Sequence, residues 1–224
     1  MSWELEKNNF YNFIIENKVI GFFNVPITLK SGRKSYWYVN WRTVAEDVFL
    51  LNTVSDYLLL FVKYLNLKPD LFFGVPEGAT KLGIITQYKW AFKDKKIKPG
   101  MYNLSMGRGK PKEHGDLKDK FFLGIPKGNV ILLEDTTTTG GSMLQTIDDL
   151  AKLNVNIIAA IGLTNRSEIR DDGFTVEEAI NNKGVQYYSM SDAIDLLLKL
   201  KPNPTVATHI ENYFKKYGKK EIKF

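Results

Sequence analysis

Short apolar runs alternate with helical stretches between residues 71 and 190. The runs are rich in β-forming residues and comprise Leu71–Val75, Met101–Met106, Val130–Glu134, Ile157–Thr164 and Val185–Met190. The helical stretches lie near Gly78–Phe92, Gly141–Leu153 and Thr175–Asn182. Strands that are apolar on both faces and separated by helices are typical of a parallel sheet with helices on both sides. The pattern therefore predicts an α/β fold with a five-stranded parallel core sheet and flanking helices. Because ligands of such sheets bind beyond the carboxyl ends of the strands, we expect the chemistry in the loops there.

The two ends of the chain are expected to form a smaller unit over those loops. Apolar residues at helical intervals (Leu5, Phe10, Phe13 and Ile14) predict a helix over Trp3–Lys18. Ile27–Asn40 is predicted to be a hairpin, and Thr43–Leu65 a single long helix. On the second hairpin strand Tyr36, Tyr38 and Asn40 share one face, and Trp37, Val39 and Trp41 share the other. We therefore expect one domain over residues 1–224, with an N-terminal hood mainly in 1–42, a core in about 43–190, and C-terminal helices with a lysine-rich tail in 191–224.

Composition excludes several kinds of chemistry. The chain has no cysteine, which excludes disulfides, thiol catalysis, iron–sulfur clusters and thiolate zinc sites. Only two histidines occur, His114 and His209, so a three-histidine metal site is impossible. No apolar run reaches 18 residues and the first residues lack the order of a signal peptide, so we expect a cytoplasmic protein that does not engage a membrane.

Positive charge is concentrated at the C-terminus. The net charge is +6, and the last ten residues contribute +4 of it through five lysines and one glutamate. A solvated lysine-rich tail explains this distribution better than a nucleic-acid-binding surface, so we expect no nucleic-acid partner.

The segment Val130–Ser142 carries the strongest local signal. A buried strand ends in Glu134 and Asp135, four threonines and two glycines follow, and then a helix begins. Glycine amides, threonine hydroxyls and a helix N-terminus suit a phosphate, and two carboxylates accept hydrogen bonds from a vicinal diol. The pattern therefore favours a sugar phosphate as ligand. The alternative is a helix that is merely capped by a threonine or serine.

The segment resembles the phosphoribosyl-pyrophosphate fingerprint of type I phosphoribosyltransferases, and three further motifs resemble the orotate phosphoribosyltransferase family among them. The stretch from Leu29 to Ser35, followed by Tyr-Trp-Tyr-Val-Asn, is similar to its N-terminal signature. Lys112-Glu-His-Gly115, within the charged loop Gly107–Lys120, resembles its catalytic loop, and Thr164-Asn-Arg166 resembles its base-recognition segment. The four motifs occur in the family's order over roughly residues 10 to 215.

The resemblance implies transfer of a phosphoribosyl group from 5-phosphoribosyl 1-pyrophosphate (PRPP) to orotate, and it assigns residues to that reaction. For catalysis it implies Arg108, Lys112, His114 and Asp135. For PRPP binding it implies Glu77, Gly78, Arg108, Lys112, His114, Glu134, Asp135, Thr136, Thr137, Thr138, Thr139, Gly140, Gly141 and Ser142. For orotate binding it implies Lys30, Tyr38, Val39, Thr138 and Arg166. The cofactor would be Mg²⁺, bound mainly through the pyrophosphate rather than by a protein metal site, and the partner a second copy whose active site receives the catalytic loop.

Two departures from the family affect the pyrophosphate contacts. Glu77-Gly78 stands where many relatives have an aromatic residue and a lysine, and Gly109 where a loop lysine is usual. Two alternatives remain open: a phosphoribosyltransferase for another base, and a non-catalytic regulator that senses PRPP. Lys30 and Arg166 favour an acidic pyrimidine over other bases. The Lys112 and His114 loop, and the lack of an added DNA-binding domain, argue against the regulator.

Overall fold

The computed structural model describes residues 3–109, 113–114 and 121–224. Its helices are α1 (Trp3–Glu16), α2 (Arg42–Glu46), α3 (Val48–Tyr64), α4 (Thr80–Ala91), α5 (Gly141–Ala151), α6 (Val176–Asn181), α7 (Ala193–Leu200) and α8 (Pro204–Tyr217). Its strands are β1 (Ile20–Thr28), β2 (Lys34–Val39), β3 (Leu71–Gly74), β4 (Met106–Gly107), β5 (Phe122–Leu123), β6 (Asn129–Thr137), β7 (Asn156–Asn165) and β8 (Tyr187–Asp192).

A parallel sheet of four strands lies at the centre, in the order β3-β6-β7-β8. Every residue of β3 and the run Val130–Leu133 of β6 are buried, as expected for strands covered on both faces. The α/β class, the parallel sheet and its flanking helices are therefore confirmed. In the described part of the chain the sheet has four strands, so the prediction of five was wrong.

The error lies in the run Met101–Met106. Met101 and Leu104 are about half exposed, and the polar residue between them makes local bonds instead of joining a ladder. The Asn103 carbonyl accepts from Gln87 Nε2 at 2.8 Å, and Asn103 Nδ2 donates to the Ile125 carbonyl at 2.6 Å. Only β4, at the end of the run, pairs with another strand, the antiparallel β5. Side-chain hydrogen bonds to backbone have here replaced the expected strand pairing.

The segment expected to be one long helix is divided at Asp47. This residue has extended backbone angles (φ −106°, ψ 127°), and its side chain accepts a hydrogen bond from the Leu50 amide at 2.8 Å. Aspartate is a favoured N-cap residue because its carboxylate satisfies an amide that the first helical turn leaves unpaired. The chain therefore ends α2 and begins α3 there.

The predicted N-terminal helix and hairpin are both present, but α1 ends at Glu16 and the first hairpin strand begins at Ile20, seven residues before the predicted start at Ile27. Helix α1 buries Trp3, Phe10, Tyr11, Phe13 and Ile14, whereas Leu5 is 73% exposed and lies outside the core, contrary to its place in the predicted stripe. In the hairpin, Trp37, Val39 and Trp41 are buried, while Tyr36, Tyr38 and Asn40 are half-buried on the opposite face.

Helix α8 packs against this hairpin. The Trp37 ring stacks on Phe214 with ring centroids 5.8 Å apart, and Tyr36 stacks on His209 at 3.9 Å. The two ends of the chain therefore meet beside the carboxyl ends of the sheet strands. Within the described residues, no helix has both the length and the apolar character needed to cross a bilayer. The domain boundaries given above stay a prediction.

Candidate active site

A cavity of about 910 Å³ lies at the carboxyl ends of β3, β6 and β7, beneath the hairpin. It brings together most of the residues that the motifs single out. These are Lys30, Tyr38, Val39, Glu77, Gly78, Arg108, Glu134, Asp135, Thr136, Thr138, Thr139, Gly140, Gly141, Ser142 and Arg166. The location agrees with the rule that parallel sheets bind ligands at this edge.

Two predicted site residues do not line the cavity, and a third lies outside the described residues. Thr137 is 1% exposed, and its hydroxyl lies 2.6 Å from the Tyr187 hydroxyl, so its side chain supports the sheet. His114 is exposed and is not part of the cavity wall. Lys112 lies outside the described residues.

The turn between β6 and α5 has the geometry of an anion-binding cradle. Gly140 is the N-cap of α5 and adopts a left-handed conformation with φ +70°, which is costly for residues with a side chain. No side chain of the described structure caps this helix, so the alternative of a threonine or serine cap was wrong. The first amides of α5 therefore keep no side-chain partner and can donate to a ligand.

Glu134 and Asp135 form a buried acid pair on the cavity wall. Burial raises the pKa of Glu134 well above its ordinary value of 4.5, and the charge of Asp135 raises that pKa further. Burial also raises the pKa of Asp135, opposed by the Thr136 amide, which donates to its carboxylate at 2.8 Å. A side-chain hydrogen bond joins the two carboxyl groups. The pair thus holds a proton more tightly than two exposed carboxylates would.

Gly78 explains one departure from the family pattern. A Cβ atom added to Gly78 would lie 2.7–2.8 Å from the carboxylate atoms of Asp135, so this position holds no side chain without moving that acid. Similarly, a Cβ at Gly109 would lie 2.0 Å from the Glu77 carboxylate. The two departures are therefore packed against acidic side chains of the same cavity.

Two cations reach the cavity from the hairpin turn and from the start of α2. Lys30 Nζ donates to Ser142 Oγ at 3.0 Å, which joins the hairpin turn to the cradle. Arg42, which the sequence reading missed, lines the cavity, and its charge lowers the pKa of Asp135. Its only sequence signal is its place directly after the hairpin. Ser31, Asn40, Gln145 and Thr146 also line the cavity, although the resemblance assigned no role to them.

Arg166 is 1% exposed yet borders the cavity. Its guanidinium carbon lies 3.6 Å from the Trp37 ring centroid, and its Nε donates to Glu168 at 2.7 Å. Its Nη1 has no hydrogen-bond partner among the described residues, and the same holds for Ser31 Oγ and Thr136 Oγ1 on this cavity wall. Buried polar atoms without partners are costly, so these three atoms indicate where a ligand would form hydrogen bonds.

Comparison with individual known proteins places the chain in a family, although no family model matches it. A curated orotate phosphoribosyltransferase from Rhodopseudomonas palustris is 30% identical over 194 residues, covering 82% of this chain and 92% of that protein. One from Agathobacter rectalis is 26% identical over 96% of this chain and 99% of its own length.

The fold is also shared. The crystal structure of orotate phosphoribosyltransferase from Francisella tularensis matches with a TM-score of 0.68 and 21% identity, over 94% of this chain and 99% of that one. The sequence identity holds over nearly the whole length of a curated relative, and so the chain belongs to the orotate phosphoribosyltransferase family.

Proposed function

We propose that the protein transfers the phosphoribosyl group of PRPP to N1 of orotate, giving orotidine 5′-monophosphate and pyrophosphate in de novo pyrimidine synthesis. One observation carries the proposal. A single cavity combines a phosphate-type cradle and an acid pair with a buried arginine whose Nη1 has no hydrogen-bond partner among the described residues. Sugar phosphate and anionic base would thus bind side by side.

The cradle accounts for PRPP. Amides at the start of α5, with the hydroxyls of Thr138, Thr139 and Ser142, would bind the 5′-phosphate. Glu134 and Asp135 would accept hydrogen bonds from the ribose hydroxyls. As the bond between C1′ and pyrophosphate lengthens, the ribose gains positive charge, and the carboxylate of Asp135 would stabilise it.

A second group of lining residues accounts for orotate. A buried arginine can bind a carboxylate through hydrogen bonds, and Nη1 of Arg166 has no partner among the residues that the structure describes. Lys30 would supply a second positive charge, Thr138 a hydroxyl, and Tyr38 with Val39 a surface for the planar ring. As N1 of orotate bonds to C1′ and the bond from C1′ to pyrophosphate breaks, the N1 proton would pass to the departing pyrophosphate or to water, so the protein need not supply a strong base.

The leaving pyrophosphate needs positive charge. Arg108, Lys112 and His114 are proposed to contact it, and Arg42 is proposed to supply the charge that Glu77-Gly78 does not. No group of three or more acidic or histidine side chains in the described residues could hold a metal ion. The two carboxylates of the acid pair fit a Mg²⁺ ion that takes most of its ligands from substrate and water. Bound in this way, Mg²⁺ would neutralise charge on the pyrophosphate.

We further propose a cytoplasmic homodimer in which the loop containing Lys112 serves the neighbouring active site. Exposed apolar residues on α3 and α4 support the dimer; Val48 and Phe49, for instance, are 84% and 75% exposed. We propose neither a nucleic-acid nor a membrane partner.

The test is the fall in orotate absorbance on addition of PRPP and Mg²⁺, with xanthine, hypoxanthine and uracil in parallel wells and a control without PRPP. We expect turnover with orotate alone. Turnover with a purine instead would assign the protein to another base. Binding of PRPP without turnover of any base would favour the regulator.

A further inference from the structure

Glu168, which the motifs did not single out, lies between two buried arginines. Its side chain is fully buried, and its two oxygens accept from Arg166 Nε at 2.7 Å and from Arg33 Nη1 at 2.8 Å. Arg33 also donates to the Ile169 carbonyl and to the exposed Asp171, both at 2.7 Å. One carboxylate therefore joins the hairpin turn to the arginine proposed to recognise orotate.

The backbone between Arg166 and Glu168 brings the two side chains together. Ser167 has a left-handed conformation with φ +56°, which is uncommon for a residue with a side chain. The chain near the C-terminus holds this turn, because the Lys219 amide donates to the Ser167 carbonyl at 2.8 Å and the Ile169 amide donates to the Tyr217 carbonyl at 2.7 Å. The start of the lysine-rich tail is thus part of the support for the base-recognition segment.

The contacts of Arg166 leave one nitrogen for a ligand. Glu168 holds Nε, and Nη2 lies 3.4 Å from Ser35 Oγ and 3.5 Å from the Tyr213 hydroxyl. Trp37 fixes the plane of the guanidinium by stacking at 3.6 Å. Nη1 alone has no partner among the described residues.

Resting on the function proposed above, we infer that Glu168 is a positioning residue for orotate: by holding Nε of Arg166 against the Trp37 ring, it keeps Nη1 directed at the carboxylate of the base. Glu168 does not touch the substrate. Its effect passes through Arg166, so it concerns orotate and not PRPP.

The test is the variant Glu168→Gln, with KM measured separately for orotate and PRPP. An amide in place of the carboxylate weakens the bond to Nε and presents an N–H group toward Arg33. We expect KM for orotate to rise about tenfold, as for the loss of one charge-assisted hydrogen bond, with KM for PRPP within about twofold. Simple electrostatics predicts the reverse, since removal of a negative charge would favour an anionic base. An unchanged or lower KM for orotate would overturn the inference.

Two comparisons make the test specific. Asp171→Asn removes the other acidic partner of Arg33 without touching Arg166, and we expect its KM for orotate to match that of the wild type. In the background of Arg166→Ala, the change Glu168→Gln should add almost nothing to KM for orotate. Full additivity would mean that Glu168 acts by another route.

The outcomes are separable from those for the proposed function. If the wild type turns over orotate while Glu168→Gln leaves its KM unchanged, the function stands and the inference fails. If Glu168→Gln does not fold, Glu168→Asp serves as the second variant. It retains the negative charge beside the two arginines, but its shorter side chain withdraws the carboxylate from Nε of Arg166. It should then show the same selective rise in KM for orotate, and an unchanged KM would overturn the inference.

Discussion

At the scale of single residues, the cavity wall is distinguished by charged groups that are buried but only partly paired. Within the described part of the chain, Arg166 has one nitrogen without a hydrogen-bond partner, and Glu134 and Asp135 share a site where burial raises the pKa of both. Such arrangements cost stability in the absence of a ligand and are typical of functional sites. Two predictions follow from the physical state of these groups.

Arg166→Ala should weaken the use of orotate selectively. A hydrogen bond to a charged group contributes about 1.5–3 kcal/mol, so KM for orotate should rise about 10- to 100-fold. The PRPP dissociation constant should stay within about twofold, because the cradle is built from the turn between β6 and α5 and does not use the Arg166 side chain. Steady-state kinetics and a PRPP titration measure the two quantities. An equal loss of both would contradict the assigned role.

Glu134→Gln should stabilise the ligand-free protein at neutral pH. Because the folded-state pKa of Glu134 lies above its ordinary value of 4.5, the folded state holds the proton more tightly than the unfolded state. The resulting stability is fully present below about pH 4.5 and is lost as the pH rises through the raised pKa. The amide cannot ionise, so the variant should lose less stability than the wild type over this range. Each kcal/mol gained at neutral pH should raise Tm by about 2–4 °C.

Thermal unfolding from pH 5 to pH 8 provides the measurement, and the exposed Glu46→Gln is the control for a general loss of one negative charge. The control should follow the wild type. A constant difference between wild type and Glu134→Gln at all pH values would contradict a raised pKa.

At the scale of elements, the turn from β6 into α5 depends on the backbone of one glycine. Gly140 combines a positive φ with a close approach to Val176, whose Cγ2 would lie 2.4 Å from an added Cβ. Gly141, the next residue, has an ordinary conformation, and an added Cβ there would meet only Thr139 Oγ1, at 4.0 Å. Adjacent glycines therefore have different structural requirements.

Gly140→Ala should destabilise the protein and Gly141→Ala should not. A left-handed alanine costs about 1–2 kcal/mol, and crowding against Val176 adds about 1–3 kcal/mol. Thermal unfolding without ligand measures the effect, and the Gly141→Ala variant is the matched control. Equal Tm values for the two variants would mean that the turn relaxes without cost.

At the scale of the whole molecule, the two ends of the chain meet over the carboxyl ends of the sheet. Hairpin β1–β2 packs on α8, and Arg33 in its turn reaches the segment after β7. Helices α3 and α4, joined by an ion pair between Asp56 and Lys89 at 2.7 Å, carry exposed apolar residues on the outside. A second copy of the chain is the proposed occupant of that face.

The dimer and its shared loop can be tested together. Light scattering should give about twice the chain mass of 25.7 kDa. At orotate concentrations well below the KM of the wild type, Lys112→Ala and Arg166→Ala should each have little activity, and mixing them with exchange of subunits should restore activity. One site of the mixed dimer would then contain an intact Arg166 and an intact loop from its neighbour. A dimer without restored activity would mean that each loop serves its own subunit.

The sequence by itself was sufficient for the α/β class, the alternation of helices with the strands β3, β6, β7 and β8, and the motif from β6 to α5. These features depend on local periodicity and on residues close together in the chain, such as Glu134, Asp135 and the glycines that follow. The position of Arg166 at the end of a strand was also accessible, because parallel strands end at a common edge. The run Met101–Met106 has strand-like composition, but contacts of Asn103 with Gln87 and Ile125 prevented a fifth strand.

Only the tertiary structure decided which of these side chains face the ligand and what holds them. Thr136 and Thr137 are adjacent threonines, yet one borders the cavity and the other bonds to Tyr187 on β8. Arg42 and Glu168 gain their significance from partners far away in the chain, Asp135 and Arg33. Composition and spacing report local preference, whereas burial, pKa and the pairing of charges depend on distant residues that only folding brings into contact.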